Sequence, residues 1–546
     1  MNLSAQPEKT IKPYFLGLIF LLTLVPLFYG FTRFPRLYGD EGIYVSQAWW
    51  LVYFHKLGPY TYWYDHFPLG WLLIGLWQKL TGGPFTFGPA IFSGRVLMII
   101  LAGFANVFLF KLIHKLTKSL HLAFLGALLF MLFPLSVLYH RLVLLDNIAV
   151  LWLLMGLNTF FTNPKSGRKV FLASIFLGLA VLTKEVMFLV LPAFFLSIWW
   201  LNAKNNRGYL LVLSLATTLF IIGLWPLLAF LKHEFLPGMG HVSFWETFFS
   251  QVKRGNQLPF WAAKSEFMSR FQAWLSLDPF FLFLGFGSLV LNSLFKFFDK
   301  TYRVLVLMTW GLIFFLIRGG VVYDFYLIPL LPFLVIQICL LLHLVGEEVD
   351  LKFIKTIRMV FFLPVIVGLL AEGLILYRVD ATANQLEAIS QLKQVNNKEA
   401  VIVSDDYAFL DLRFDEELND RFSNIEWYAR AEKDPAVRQQ KLRDDPGAID
   451  YLLVNKVMES DILYGGFSFL GEAKANLQAT GQFNLKIPDE FLKQKNTIAH
   501  FADDLTLYQK TGQPVSAAEK ANLSLEQKIG RLVVMTPQAT ELTGQE

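Results

Sequence analysis

The apolar positions of the chain fall into long runs, separated by short polar segments, up to about residue 376. A membrane-spanning helix needs about 20 predominantly apolar residues, and on that criterion we predict about eleven spans. The predicted spans are residues 14–31, 91–110, 121–139, 147–161, 170–183, 186–201, 209–231, 279–297, 304–317, 325–343 and 359–376. The pattern therefore predicts an all-α polytopic membrane domain over residues 1–376.

The pattern changes after residue 376, where charged and apolar residues alternate as in a soluble protein. Val401-Ile402-Val403 and Tyr451-Leu452-Leu453-Val454 are typical of short strands, and residues 384–394 have the spacing of a helix. We therefore predict a small C-terminal soluble α/β or α+β domain over residues 377–546. Its acidic pairs, Asp405-Asp406 and Asp444-Asp445, are interpreted as solvated loop residues.

The distribution of basic residues predicts the orientation of the helices. Positively charged loops remain on the cytoplasmic side, so the N-terminus is predicted to be cytoplasmic. An odd number of spans then places the C-terminal domain outside the cell membrane, together with two long loops, 32–90 and 232–278. The basic loops carry Lys111, Lys115 and Lys118; Lys165, Arg168 and Lys169; Lys204 and Arg207; Lys296, Lys300 and Arg303; and Lys352, Lys355 and Arg358.

The first long outer loop is rich in tryptophan and tyrosine. Residues 43–56 (IYVSQAWWLVYFHK) are consistent with an amphipathic helix at the lipid interface, where such rings are favoured. Its aromatic side chains would then line a groove for a lipid chain. A packed cap without contact to lipid is the open alternative.

The composition agrees with a membrane protein and narrows its chemistry. Apolar residues make up 55% of the 546 residues, and charged residues only 17%. The formal charge of +5 comes without a run of Lys and Arg interleaved with aromatic residues, so no nucleic-acid partner is predicted. The single cysteine, Cys339, allows no intramolecular disulfide. The chain has no G-x-G-x-x-G, Walker A, metal-spaced Cys/His or D-x-D motif.

Ionisable residues collect at one level of the predicted bundle, the outer ends of the spans. Charged groups at membrane depth are costly, so each is a candidate functional residue, although helix-end charges also snorkel to the interface. At least five separate turns bring acids and bases to this rim, which indicates an active site or a substrate path. The rim residues are Asp40, Glu41, Asp65, His66, Arg141, Asp146, Lys184, Glu185, His233, Arg318 and Asp324.

Five segments near this rim follow one another in a recognisable order. They are Tyr38-Gly39-Asp40-Glu41-Gly42-Ile43-Tyr44, Asp65-His66-Phe67-Pro68-Leu69-Gly70, Arg141-Leu142-Val143-Leu144-Leu145-Asp146-Asn147, Gly178-Leu179-Ala180-Val181-Leu182-Thr183-Lys184 and Tyr326-Leu327-Ile328-Pro329-Leu330-Leu331-Pro332. Together they resemble GT-C-fold membrane glycosyltransferases, namely the dolichyl-phosphate-mannose-protein mannosyltransferases (glycosyltransferase family 39) and the related aminoarabinose transferases. The chain departs from that pattern at Phe67, where the family has proline, and it lacks the arginine that closely follows Asp-Glu in the aminoarabinose enzymes. The sugar is therefore left open.

The resemblance implies a GT-C-like fold and an inverting transfer at the outer membrane face. The donor would be a polyprenyl-phosphate carrier loaded with a mannose-like sugar. The acceptor would be a protein Ser/Thr hydroxyl or, alternatively, a lipid or cell-wall glycan. The implied partners are thus a lipid-linked sugar, a protein or glycolipid acceptor and the bilayer itself.

The chemistry of such a transfer suggests roles for the rim residues. An alcohol is a poor nucleophile at neutral pH, so a carboxylate must accept its proton, and we assign this role to Asp40. Glu41 would hold the acceptor or orient Asp40. The departing lipid phosphate needs nearby cations, for which we expect Arg141, Lys184, His66 and Arg318. The expected substrate-binding residues are Asp146, Asp65 and Tyr44.

Two questions stay open at this stage, the metal and the class of protein. No cofactor is firmly implied, although a divalent cation (Mg²⁺ or Mn²⁺) held by Asp40 and Asp146 is an alternative. From a different class, a transporter or lipid flippase would also carry charges along a path. Transporters usually bind substrate near the bilayer midplane and often show inverted repeats, and we see no such repeat here. A receptor or scaffold would leave the charged rim unexplained.

Overall fold

The structure is a computed structural model that describes residues 11–58, 64, 66–238, 243–253, 258–348, 368, 371, 373–415 and 417–510. Up to residue 348 these residues are almost entirely helical. The helices are α1 (Pro13–Phe28), α2 (Gly39–Tyr53), α3 (Leu69–Thr81), α4 (Ala90–Thr117), α5 (Leu120–Leu132), α6 (Pro134–Arg141), α7 (Leu145–Thr162), α8 (Gly167–Thr183), α9 (Leu191–Leu201), α10 (Arg207–Ile222), α11 (Leu224–Leu231), α12 (Phe244–Lys253), α13 (Glu266–Leu277), α14 (Pro279–Phe295), α15 (Lys300–Leu316) and α16 (Leu331–Glu348). Short 3₁₀ segments, Glu185–Val190 and Asp324–Leu330, precede α9 and α16.

The predicted helices occur where the apolar runs lie, but the predicted number of spans is not confirmed. Among the described residues, 3 helices are long and apolar enough to cross a membrane, or up to 6 if each bent pair counts as one span. The bends are 63° between α5 and α6, 42° between α10 and α11, and 115° between α13 and α14. Proline is the first residue of both α6 and α14. A proline is tolerated in the first turn of a helix, whereas inside a continuous helix it would remove a backbone hydrogen bond, so a new helix begins at each of these two bends. Most of the last predicted span, 359–376, lies outside the described residues.

The C-terminal region is a mixed α/β domain, as predicted. Its sheet has the order β2 (Ile425–Trp427), β1 (Ile402–Ser404), β3 (Tyr451–Val454), β5 (Leu505–Gln509) and β4 (Gln478–Phe483). Strand β1 is parallel to β2 and β3, and β5 is antiparallel to β3 and β4. The predicted strands at 401–403 and 451–454 correspond to β1 and β3. The elements are α17 (Leu374–Arg378), α18 (Ala383–Lys393), β1 (Ile402–Ser404), α19 (Phe409–Arg413), β2 (Ile425–Trp427), α20 (Tyr428–Lys433), β3 (Tyr451–Val454), α21 (Lys456–Leu463), α22 (Ser468–Asn476), β4 (Gln478–Phe483), α23 (Lys495–His500) and β5 (Leu505–Gln509).

The C-terminal domain packs directly on the segment between α1 and α2. The backbone of Leu37 is held at both polar atoms by the side chain of Gln385, with bonds of 2.7 and 3.0 Å. Arg36 forms an ion pair of 2.7 Å with Asp503. Burial alone would lower the pKa of Arg36, but Asp503 and other nearby groups outweigh it and raise that pKa. The domain is therefore anchored on the chain just before Asp40.

The acidic turn of the C-terminal domain lies on the first turn of α2, so the expectation that Asp405-Asp406 is solvated is wrong. Asp405 is 9% exposed and Asp406 is 8% exposed. The backbone of Asp406 approaches Gly42 so closely that only a residue without Cβ fits there. Residues 43–49 of α2 are buried as well, so the packed alternative holds for them rather than an interfacial helix.

We expect Gly42→Ala to loosen this contact, because the added Cβ would overlap the backbone of Asp406. Overpacking of this kind costs about 1–3 kcal/mol of stability. Thermal unfolding of the purified protein and limited proteolysis of the C-terminal domain measure the effect. Gly17→Ala is the matched control, since no heavy atom lies within 4 Å of its added Cβ. Equal protease resistance of the two variants would show that the contact is not needed for docking.

Candidate active site

The N-terminus of α2 is fixed by a buried ion pair between Glu41 and Arg95. Arg95 donates Nε to Glu41 Oε1 at 2.9 Å and Nη2 to Oε2 at 2.7 Å, and both side chains are fully buried. Glu41 also accepts hydrogen bonds from the backbone N–H groups of Tyr38 and Val143. Its carboxylate is thus occupied by protein groups. This arrangement supports positioning of α2, and with it Asp40, rather than direct contact with an acceptor.

Arg141 is also occupied by protein groups. Its guanidinium makes five hydrogen bonds, at 2.6–3.2 Å, all to backbone carbonyls. These carbonyls belong to Pro26, Leu27, Tyr29, Phe34 and Leu376. A guanidinium has five N–H groups, so none is left for the lipid phosphate expected from the sequence. We therefore remove Arg141 from the set of phosphate ligands: in this structure it holds the end of α1.

Four of the predicted rim residues, Lys184 among them, come together, and Tyr44 joins them. The Tyr44 hydroxyl lies 3.1 Å from His66 Nε2, and Lys184 Nζ lies 3.4 Å from His66 Nδ1. Lys184 also pairs with Asp146 at 3.9 Å and with Glu185 at 3.6 Å. These residues lie on α2, on α7, before α3 and at the turn that follows α8. We call Tyr44, His66, Asp146, Lys184 and Glu185 the lysine cluster.

Asp146 is the least satisfied member of the lysine cluster. Its side chain is fully buried, yet neither carboxylate oxygen has a hydrogen-bond partner among the described residues. The 3.9 Å contact to Lys184 supplies charge but is too long for a hydrogen bond. A buried carboxylate without donors is costly. The site is therefore suited to a ligand that brings hydroxyl groups or a cation to these oxygens.

Helix α2 links Asp40 to the lysine cluster. Asp40 is half-buried in the first turn, and Tyr44 lies one turn further along. Residues four apart on a helix share a face, so both side chains project toward the same side of α2. Lys184 Nζ lies 6.0 Å from the centre of the Tyr44 ring. A carboxylate and a cation therefore lie along one face of this helix.

A second polar group borders the same end of α2. Tyr38 donates its hydroxyl to Asp324 at 3.3 Å, and Arg36 lies over the Tyr38 ring at 4.8 Å. Burial and Asp324 raise the pKa of Tyr38, so its hydroxyl stays protonated and acts as a donor. Asp324 begins the 3₁₀ turn that also carries Tyr326, a residue within electrostatic range of Asp146 and Glu185. This 3₁₀ turn therefore connects the Tyr38–Asp324 pair with the lysine cluster.

Comparison with known proteins agrees with this geometry. Residues 69–238 match the sequence model of the dolichyl-phosphate-mannose-protein mannosyltransferase family. A search of curated proteins finds no match. The oligosaccharyltransferase of Archaeoglobus fulgidus superimposes with a TM-score of 0.53 at 12% identity, over 88% of this chain and 74% of that chain. ArnT from Cupriavidus metallidurans, solved with bound undecaprenyl phosphate, gives 0.52 at 14% identity, over 91% and 98%.

The chain has the GT-C fold. The resemblance inferred from the sequence is confirmed, and the matched part carries the segments 141–147 and 178–184. Asp40 and Glu41 lie before the matched part. The chain has helices long and apolar enough to cross a membrane, which together with this fold supports a membrane location.

Three expectations remain to be located on this GT-C fold. Arg318 donates to the carbonyls of Phe315 and Val321 in its own loop and is not part of the lysine cluster. Asp65 lies outside the described residues. For the metal alternative, no group of three or more His, Cys, Asp or Glu side chains in the described ranges is arranged to hold an ion. Asp40 and Asp146 therefore lack a third ligand of these types in that part of the chain.

Sequence reasoning missed Arg95. Arg95 lies inside the predicted span 91–110, and a charge within a span is the signal that marks it. Glu185 is one of the predicted rim residues, with a helix-end charge as its alternative, and its carboxylate contacts both Lys184 and His66. The roles of these charges depend on which residues of other helices they contact, and sequence spacing does not show those contacts.

We expect Arg95→Met to destabilise the protein, because it leaves the Glu41 carboxylate buried without its cation. Breaking one side of a buried pair costs about 3–5 kcal/mol, whereas replacing both partners by apolar residues costs far less. The double variant Glu41→Met/Arg95→Met should therefore recover part of the lost melting temperature in detergent. A double variant that is less stable than Arg95→Met alone would contradict this account.

Proposed function

We propose that the protein is an inverting glycosyltransferase that moves a sugar from a polyprenyl-phosphate carrier to an acceptor hydroxyl. The observation that carries the proposal is the common face of α2, on which Asp40 and Tyr44 lie, with Lys184 Nζ 6.0 Å from the centre of the Tyr44 ring. The GT-C fold supports the proposal, since ArnT, which shares it, was solved with bound undecaprenyl phosphate. The sequence match to dolichyl-phosphate-mannose-protein mannosyltransferases supports a mannose-like sugar. The proposed site of transfer is the extracytoplasmic face.

The reaction is a single displacement at the anomeric carbon. The acceptor oxygen attacks that carbon while Asp40 takes the hydroxyl proton. The bond between the anomeric carbon and the phosphate oxygen breaks, and its electron pair leaves with the lipid phosphate. One base on the face opposite the leaving group is sufficient, and the configuration inverts.

The leaving phosphate gains negative charge as the bond breaks, and Lys184 is the proposed partner for it. This lysine is 1% exposed, so its charge acts with little screening by water. His66 contacts Tyr44 and Lys184 through its two ring nitrogens, so its proposed role is to position this lysine. The unbonded oxygens of Asp146 are suited to accept hydroxyl groups of the donor sugar.

Transfer from radiolabelled polyprenyl-phosphate mannose, by the purified full-length protein, tests the proposal. Acceptor peptide and cell-envelope glycolipid are supplied in separate reactions. We expect Asp40→Asn to lower kcat by about 10²–10⁴-fold, the range for loss of a general base. Lys184→Met should also lower kcat, because it removes charge stabilisation of the leaving group.

Asp444→Asn is the matched control, since Asp444 is 52% exposed and lies on the surface of the C-terminal domain. It should transfer as the wild type does. Equal transfer by wild type and Asp40→Asn would remove Asp40 from the mechanism. No labelled product from wild type with any acceptor, combined with movement of the lipid-linked sugar across vesicles, would support the flippase alternative instead.

The proposed orientation has its own test. Cys339, the single native cysteine, is buried, so introduced cysteines react against a low background. We expect Lys398→Cys, an exposed site in the C-terminal domain, to react with an impermeant thiol reagent on intact cells. Lys204→Cys, an exposed site in the loop between α9 and α10, should react only after lysis. The opposite pattern would invert the topology.

A further inference from the structure

Helix α12 turns its aromatic side chains outward and a small polar side chain inward. Thr247 is buried, and its hydroxyl donates to the carbonyl of Ser243 at 2.9 Å. On the exposed side, Trp245, Phe248 and Phe249 are 38–50% exposed, and we call these three residues the α12 face. Phe248 and Phe249 follow Trp245 by three and four residues, so the rings share one side of the helix. A helix on the surface of a water-soluble protein has the reverse arrangement, with its apolar side toward the core.

The end of α11 fixes α12 in this orientation. The backbone N–H of Phe244 donates to the carbonyl of Glu234 at 2.9 Å, and that of Trp245 donates to the carbonyl of Phe235 at 3.1 Å. The rings of Phe235 and Phe244 also stack, with centroids 5.6 Å apart. Because the first two residues of α12 are bonded in this way, the helix cannot roll to bury its aromatic side without losing these contacts.

The α12 face adjoins an apolar surface that belongs to α10 and α11. These two helices together meet the criterion of length and hydropathy for a membrane span, with a bend of 42° between them. Their surface, with the segment that follows, includes large apolar side chains that are at least half exposed: Leu219, Phe220, Leu227, Phe230, Leu231 and Leu236. An exposed apolar surface of this extent is uncommon on a protein surrounded by water, and it marks contact with a membrane or with another protein.

Charged groups lie at the border of the α12 face and not within it. Glu246 follows Trp245 by one residue, about 100° around the helix, and its carboxylate accepts a hydrogen bond of 2.8 Å from Ser243. Lys232 and Glu234, just after α11, form an ion pair of 2.8 Å. Exposed aromatic rings beside charged groups are typical of the boundary between hydrocarbon and water, where tryptophan is favoured. This region therefore fits a lipid headgroup layer better than the centre of a bilayer.

We propose that α12 lies in the headgroup layer of a bilayer, with the α12 face inserted among the lipid chains. This inference does not depend on the transfer reaction, but it does rest on the membrane location of the chain. A second copy of the chain is the other apolar partner available to such a face. The bilayer is the better fit because the α12 face adjoins α10 and α11, whose exposed apolar side chains already require lipid.

The interfacial helix also bears on the candidate active site. Tyr64 donates its hydroxyl to the carboxylate of Glu234, and its ring packs against that of Phe244, with centroids 5.8 Å apart. His66 follows Tyr64 by two residues. Through these contacts α12 would hold the loop that carries His66, and with it the lysine cluster, at the level of the lipid headgroups. A phosphate at the end of a lipid chain lies at that level.

Spin labels on the full-length protein in phosphatidylcholine nanodiscs test the position of α12. Cys339 is buried, so a label at Phe248→Cys is introduced against a low background. Oxygen dissolves in the bilayer and a nickel chelate stays in water, so the ratio of their collision rates with the label reports its depth. We expect this ratio to be severalfold higher at Phe248→Cys than at Lys398→Cys, an exposed site in the C-terminal domain. Glu246→Cys, at the border of the α12 face, should give an intermediate ratio.

Phe249→Cys is a second label on the α12 face and should give a ratio close to that of Phe248→Cys. Protease resistance of the C-terminal domain confirms that each labelled protein is folded. Equal ratios at Phe248→Cys and Lys398→Cys would place α12 in water and overturn the inference. Exclusion of both reagents from Phe248→Cys, with dipolar coupling between the labels of two chains, would assign the α12 face to a second copy and overturn it as well. No readout requires turnover, so a protein that transfers no sugar still tests the position of α12.

Discussion

The buried ion pair between Glu41 and Arg95 sets the position of everything around the candidate site. An isolated charge in this environment is strongly unfavourable, so each partner requires the other. Arg95 also donates to the carbonyls of Phe31, Pro35 and Arg36. The pair therefore ties α4 to the segment before α2 and to the first turn of α2 at the same time. Asp40 directly precedes Glu41, so its position is set by a neighbour whose carboxylate is fixed by hydrogen bonds.

The C-terminal domain depends on the same constraint. Its acidic turn meets α2 at Gly39 and Gly42, the two glycines that flank Asp40-Glu41. A fixed helix end allows such a close approach, since any shift of α2 would separate the two surfaces or make them overlap. The C-terminal domain therefore contacts the candidate site directly, at the glycines on either side of Asp40-Glu41. This explains why two adjacent carboxylates, Asp405 and Asp406, are buried and carry raised pKa values, to about 6 for Asp405.

The helices were predictable from the sequence, but the partners of each charge were not. Apolar runs locate the helices because burial in lipid and in a helical core require the same composition. Tyr44, His66, Asp146 and Lys184 were also found, since charge and position along a span are sequence properties. Arg141 donates mainly to backbone carbonyls at and after the end of α1, and the spacing of residues in the sequence does not predict which carbonyls face this side chain. The burial of Asp406 likewise depends on the docking of a separate domain.

Buried charged groups that have a full set of hydrogen bonds stabilise the fold of this protein, whereas a buried charged group without hydrogen bonds is a candidate for its chemistry. Glu41, Arg95 and Arg141 are buried and have hydrogen bonds on every side, so a ligand would have to displace protein groups to reach them. Asp146 is equally buried, but the described residues leave both of its carboxylate oxygens without a hydrogen bond. The cost of such a group has to be offset by something that binds there. In the proposed transfer, hydroxyl groups of the donor sugar would meet these oxygens without displacing any protein group.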